Sequence, residues 1–219
     1  MVEDGLERAE QRAARARRLA GAGRGRHALT APAPLATLRR LQRRLERFYH
    51  LEETPDVRGF VREAERSGQR EALLLRESEG ELEMALVLPG ASESEPDGWL
   101  QLAEGVSHFV YVANRARQEL PSTQLELELQ AEVDKFVLLV LEQLPYDRGE
   151  ALETHSRLYE RVRFLHEPGT VLGDRYRTAN GLAARFARRL LTFQPAATHS
   201  TLRRFYRAGQ AEKIRLIAA

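Results

Sequence analysis

Apolar residues at Leu38, Leu41, Leu45 and Phe48 recur at helical spacing, so Leu35–Tyr49 reads as an amphipathic helix with Arg39, Arg40, Arg43, Arg44 and Arg47 on its outer face. Pro55 opens a short helix. Further on the period changes to two: Leu82, Met84, Leu86 and Leu88 alternate with Glu81, Glu83, Ala85 and Val87, the pattern of a strand buried on one face. With residues 71–77 and the turn Ser78-Glu79-Gly80, this run forms a hairpin. A lone two-stranded ribbon is rarely stable, so the hairpin must lie on a helix or take a further strand, from Val57–Val61 or from a partner chain. Residues 89–98 form a polar loop.

From Trp99 onward the period is helical. Trp99, Leu102, Val106, Phe109, Ala113 and Ala116 make one stripe of a helix over Trp99–Glu119, and Pro121 breaks the chain before a second helix over Thr123–Leu144. In that helix Phe136–Leu141 is apolar on all sides and belongs in the middle of a bundle. Three more helices follow, over Gly149–His166, Asp174–Phe193 and Ser200–Gly209, with Asp174 as an N-cap. The expected fold class is α+β: mainly a helical bundle, with a small antiparallel β-hairpin layer and a basic, poorly packed N-terminal segment.

That segment is residues 1–34. Residues 3–20 favour helix but contain few large apolar side chains, and a Gly- and Pro-punctuated linker follows. Residues 35–219 then form a single α+β domain, with the helix and hairpin in 35–98 and the bundle in 99–219.

A chain of 219 residues with 42% hydrophobic content can bury one principal core. It has no cysteine, which removes disulfides, thiolate metal sites and cysteine nucleophiles. No apolar run approaches the roughly 20 residues a membrane helix needs, and Met1–Gly21 lacks the apolar centre of a signal peptide. A cytoplasmic protein without membrane contact is expected. Charge is segregated: twelve basic residues face five acidic ones in 1–50, five face 13 in 51–100, four face nine in 101–150, and 13 face five in 151–219. Either the basic ends neutralise the acidic middle internally, or they meet an anionic partner such as nucleic acid.

Glu104, His108, Tyr111 and Arg115 share the side of their helix opposite the apolar stripe. A carboxylate four residues before an imidazole can orient it for proton transfer, although an ordinary solvated pair has the same spacing. Thr123 and Glu126 fit a capping box. Glu132 lies on the edge of the next helix's stripe, while Glu128, Lys135 and Glu142 read as solvated. His155, Tyr159, Val162 and His166 align on an apolar side with Leu158 and Leu165, so each polar ring needs a partner or an edge position. If His108, Glu132 and His155 converge, an acid–base site results, with Glu104 as the orienter. Tyr159, His166, Tyr176 and Asn180 are candidate ligand contacts, beside small residues at 179, 183, 184 and 187. Arg185, Arg188 and Arg189, with Arg203 and Arg204, are candidate phosphate contacts.

No P-loop, GxGxxG, GxSxG or HExxH pattern occurs, so neither a cofactor nor a metal is expected. Three readings remain open. The first is a bacterial-type macromolecular interaction module with a protein partner or self-association. The second is a small acid–base enzyme or hydrolase using His108 with Glu104 and Glu132 or His155. The third is nucleic-acid binding through the Arg-rich ends.

Overall fold

The computed structural model describes residues 32–63, 72–78, 81–88, 96–142 and 145–219. The expected N-terminal extension lies outside these up to residue 31, as do Glu79 and Gly80 of the hairpin turn and residues 89–95 of the polar loop. The fold is α+β and mainly helical, with seven α-helices and a three-stranded mixed sheet among the described residues. No helix among them is long and apolar enough to cross a membrane. The described chain forms two compact units, residues 32–46 with 51–121, and residues 47–50 with 122–219.

The first unit begins with helix α1, Pro32–Tyr49, which runs on into the residues of the second unit. Of its expected stripe Leu38, Leu41 and Leu45 are fully enclosed, each stabilising the fold by about 1.5–3 kcal/mol, and Phe48 is half-buried. Gln42, also buried, clamps the chain that follows. Its amide nitrogen donates to Glu46 Oε1, Thr54 Oγ1 and the Pro55 carbonyl, and its amide oxygen accepts from Val57 N at 3.0 Å. A 3-10 turn at Val57–Phe60, capped by Asp56, then leads into strand β1, Val61–Glu63.

Strands β2, Ala72–Ser78, and β3, Glu81–Leu88, form the expected antiparallel hairpin, in register from Ala72 opposite Val87 to Ser78 opposite Glu81. The further strand comes from this chain: β1 pairs parallel with β3, Val61 opposite Leu86, giving the order β1-β3-β2. Helix α2, Pro96–Arg117, covers the sheet, and Phe60 meets Phe109 at 5.0 Å between ring centres.

The second unit is built on helix α3, Gln124–Phe136, which continues as a π-wound turn over Val137–Leu141. Phe136, Val137, Leu138 and Leu141 are buried there, as the all-apolar run predicts. Helix α4 is shorter than expected, Arg148–His155, followed by a second π-wound turn over Ser156–Glu160. The wider turn and the break at Arg161 take the rest of the segment off the apolar stripe, so Val162 and Leu165 are exposed.

Helix α5 spans Val171–Leu190, and its N-cap is Thr170 rather than Asp174. Asp174 sits inside the first turn and accepts from Gly169 N at 2.9 Å. Gly173 is required at this entry, because a Cβ there would lie on the Glu167 carbonyl oxygen. Ala179, Ala183 and Ala187 are buried and let α3 and α5 pack closely. Helix α6, Pro195–Arg207, starts five residues before its expected position, with Pro195 pre-set for the first helical turn. Helix α7, Gln210–Ala218, was not anticipated.

Candidate anion groove of the second unit

The sequence candidates fall in both units. Glu104 and His108 lie on α2 in the first, where Glu104, Tyr111 and Arg115 are buried rather than solvated. Glu132 and His155 belong to the second, and their surroundings can be followed in detail.

Asp147 caps α4 by accepting from Glu150 N at 2.8 Å, which fixes the phase that turns Ala151 and His155 inward. His155 is only 4% exposed. Its ring sits against Phe136 and Tyr159, with centres 6.2 and 5.0 Å away. Nε2 lies 2.9 Å from the Ala184 carbonyl of α5. A carbonyl only accepts, so Nε2 carries a proton. Nδ1 is buried without a hydrogen-bond partner; Glu160 Oε1 stands 3.5 Å away, its carboxylate held by Ser156 Oγ at 2.8 Å.

Around this imidazole α4, the π-wound turn and α5 form an open groove of about 540 Å³, lined by Arg148, Leu152, His155, Glu160, Ala184, Arg185, Arg188, Arg189, Leu191 and Thr192. Arg148, Arg185 and Arg188 are exposed. Among the described residues no ion pair or hydrogen bond of the protein engages their guanidinium groups. Arg189 differs: it donates to the Leu216 and Ile217 carbonyls and so caps the end of α7. Four cations against Glu160 give the groove a positive field, and guanidinium forks match phosphate and carboxylate oxygens.

The other candidates are occupied elsewhere. Tyr159 donates its hydroxyl to the Glu132 carbonyl at 2.9 Å, and burial, with the Glu132 and Asp134 charges adding to it, holds that phenol well above its ordinary titration range. The Glu132 carboxylate pairs with Lys135 at 2.9 Å; Lys135 and Glu128 are buried rather than solvated. Asn180 donates to the Leu158 carbonyl. His166 and Tyr176 do come together, stacked at 5.6 Å, with Arg175 over the Tyr176 ring. Arg203 donates to the Phe48 carbonyl and Arg204 pairs with Glu212 at 2.8 Å, so the two are drawn into the unit's own contacts.

Arg185, Arg188 and Arg189 thus share the groove with His155, an association that no single helical stripe displays. Arg148 and Glu160 were missed as site residues. A signal existed for Arg148: a cation in the first turn opposes the helix dipole, which is tolerated where another demand sets the residue. Glu160 carried none. No family model, no curated protein and no solved structure matches this chain.

Proposed function

We propose that the chain is a cytoplasmic macromolecular interaction module that holds nucleic-acid strands by their phosphates in the groove of its second unit. The observation that carries this reading is the convergence of Arg148, Arg185 and Arg188, none engaged by the protein among the described residues, around a groove large enough for a ligand. Exposed cations gathered beside one another repel, and a bound polyanion relieves that repulsion while releasing its own counterions. Leu152, Ala184 and Leu191 add apolar wall against which a base or sugar can rest.

The test is binding of a labelled single-stranded oligonucleotide across a salt series. Affinity should fall steeply with salt, with a log–log slope of about −0.7 per phosphate contact. Replacing Arg185 and Arg188 together by alanine should reduce that slope by about 1.4 while leaving the fold unchanged by circular dichroism. Retention insensitive to salt, or unaltered in the double variant, overturns the proposal.

A further inference from the structure

We infer that the chain forms a dimer in which strand β2 pairs antiparallel with β2 of a second copy, joining the two sheets edge to edge. The inference uses the first unit alone and is independent of the groove in the second.

Strand β2 lies at an edge: among the described residues its one neighbouring strand is β3, in the order β1-β3-β2. In an antiparallel pair alternate residues bond to the neighbour, and the N–H and C=O groups of the residues between them point away, so β2 presents a row of these groups at its free side. Sheet edges are ordinarily blunted by proline, lysine, a bulge or shortness. The other edge strand, β1, has only three residues. Ala72–Ser78 has seven, none of them proline or lysine, and its register with β3 runs unbroken.

Two adjacent leucines indicate what covers this edge. Leu74 is 55% exposed and Leu75 42%. Successive side chains of a strand point to opposite faces, so Leu75 shares the face of its β3 partner Met84, which is buried, and Leu74 shares that of Ala85. A helix or loop laid against the sheet reaches one face. A strand added at the edge lies beside both.

The sequence of β2 selects a second copy as that strand. A two-fold axis pairs residues whose numbers differ by an even count, so the outward-pointing groups of one strand meet those of the other, whichever alternate set they are. With the axis at Leu75 the whole of Ala72–Ser78 is paired. Leu75 meets Leu75 of the second copy, Leu74 falls opposite Arg76, Leu73 opposite Glu77 and Ala72 opposite Ser78, and no like charges are opposed. Arg76 is already paired with Glu83 of its own strand pair at 2.8 Å, so it enters the interface balanced and its apolar stem lies along Leu74. An axis at Arg76 would set two arginines face to face. One at Leu74 would leave Glu77 and Ser78 without partners on the other β2.

Sedimentation of the full chain over a concentration series, in high salt so that no nucleic acid bridges copies, should show a monomer–dimer equilibrium. Leu75→Lys sets two cations opposite one another on the axis and should weaken dimerisation by about tenfold or more, with circular dichroism unchanged. The chain has no cysteine, so Leu75→Cys supplies a single thiol, which should join two chains through a short bis-maleimide. Leu165→Cys, at a residue 64% exposed in the second unit, should not. A native chain that stays monomeric throughout overturns the inference. If in that case the Leu75→Cys chain also reacts with maleimide much more slowly than the Leu165→Cys chain, the cover of β2 comes from its own chain. A dimer that withstands Leu75→Lys and does not cross-link at residue 75 overturns it as well, by placing the interface elsewhere. Should Leu75→Lys fail to fold, the two cysteine variants decide the matter.

Discussion

At the scale of single residues, two non-glycine positions among the described residues take left-handed backbone, His50 and Glu119, and both close helices in the same way. Leu120 N reaches back to the Arg115 carbonyl and Glu119 N to Ala116, the paired bonds that end a helix on a left-handed residue; Leu51 and His50 repeat the pattern on Glu46 and Arg47. Glycine is the residue that this conformation favours. Glu119 is exposed, so Glu119→Gly removes backbone strain without opening a cavity and should stabilise the protein by about 0.5–1 kcal/mol, net of the added freedom of the unfolded chain. Chemical denaturation checks it through a higher midpoint at unchanged slope, and an unchanged or lowered midpoint refutes it. His155 shows what one residue's sequence context reveals. That a histidine on an apolar stripe needs a partner was legible; that its partner is a main-chain carbonyl of α5 depends on a contact 29 residues apart that no local period encodes.

At the scale of elements, existence was more legible than extent. The stripes of α1, α2 and α3 appear as expected because each has large apolar residues every third or fourth position. The end of α4 differs from the periodicity, because Val162, Leu165 and His166 continue the apolar spacing in sequence, whereas a π-wound turn changes the angle per residue and the chain leaves the helix at Arg161. The short helix α7 is not legible for a related reason: nine residues offer little periodicity, and its ends are held by side chains from other helices. Glu126 illustrates this. Thr123 caps α3 as expected, accepting from Glu126 N at 3.1 Å, but the Glu126 carboxylate also accepts from Gln210 N at 3.1 Å, at the start of α7. Arg189 holds the other end. Glu126→Ala therefore removes the acceptor from the first turn of α7 and should cost about 1 kcal/mol, within the range for loss of a helix cap. Amide hydrogen exchange should accelerate at residues 210–213 ahead of the rest of the unit. Uniform acceleration over α3 instead would place the loss in α3 itself.

Across the whole molecule, each unit buries a hydrogen-bonded polar cluster among its apolar side chains. In the first it is Gln42, Glu46 and Thr54. In the second it is a chain of bonds that includes one of the protein's two lysines: Lys213 Nζ donates to Gln130 Oε1 at 2.5 Å and to the Phe205 carbonyl at 2.9 Å, Gln130 Nε2 donates to Asp134 Oδ1 at 2.8 Å, and Tyr49 donates to the same carboxylate at 2.5 Å. Tyr49, Gln130, Asp134 and Lys213 are all fully buried. Burial comes first in holding the Tyr49 phenol well above its ordinary range, with the Asp134 charge adding to it. An isolated carboxylate or ammonium in such a place is strongly unfavourable, and Gln130 links Asp134 and Lys213 by hydrogen bonds to both. Lys213→Met keeps the length and the packing over the Phe205 ring but leaves Gln130 without that donor and removes the balancing cation, and should destabilise by about 3–5 kcal/mol. Adding Asp134→Asn, which retains an acceptor for Tyr49 while removing the negative charge, should recover a substantial part of that loss, so the double variant is more stable than the sum of the single changes predicts. Urea unfolding of all three variants measures the coupling. Strict additivity would mean that the two charges do not sense one another, and the cluster would then act through shape alone.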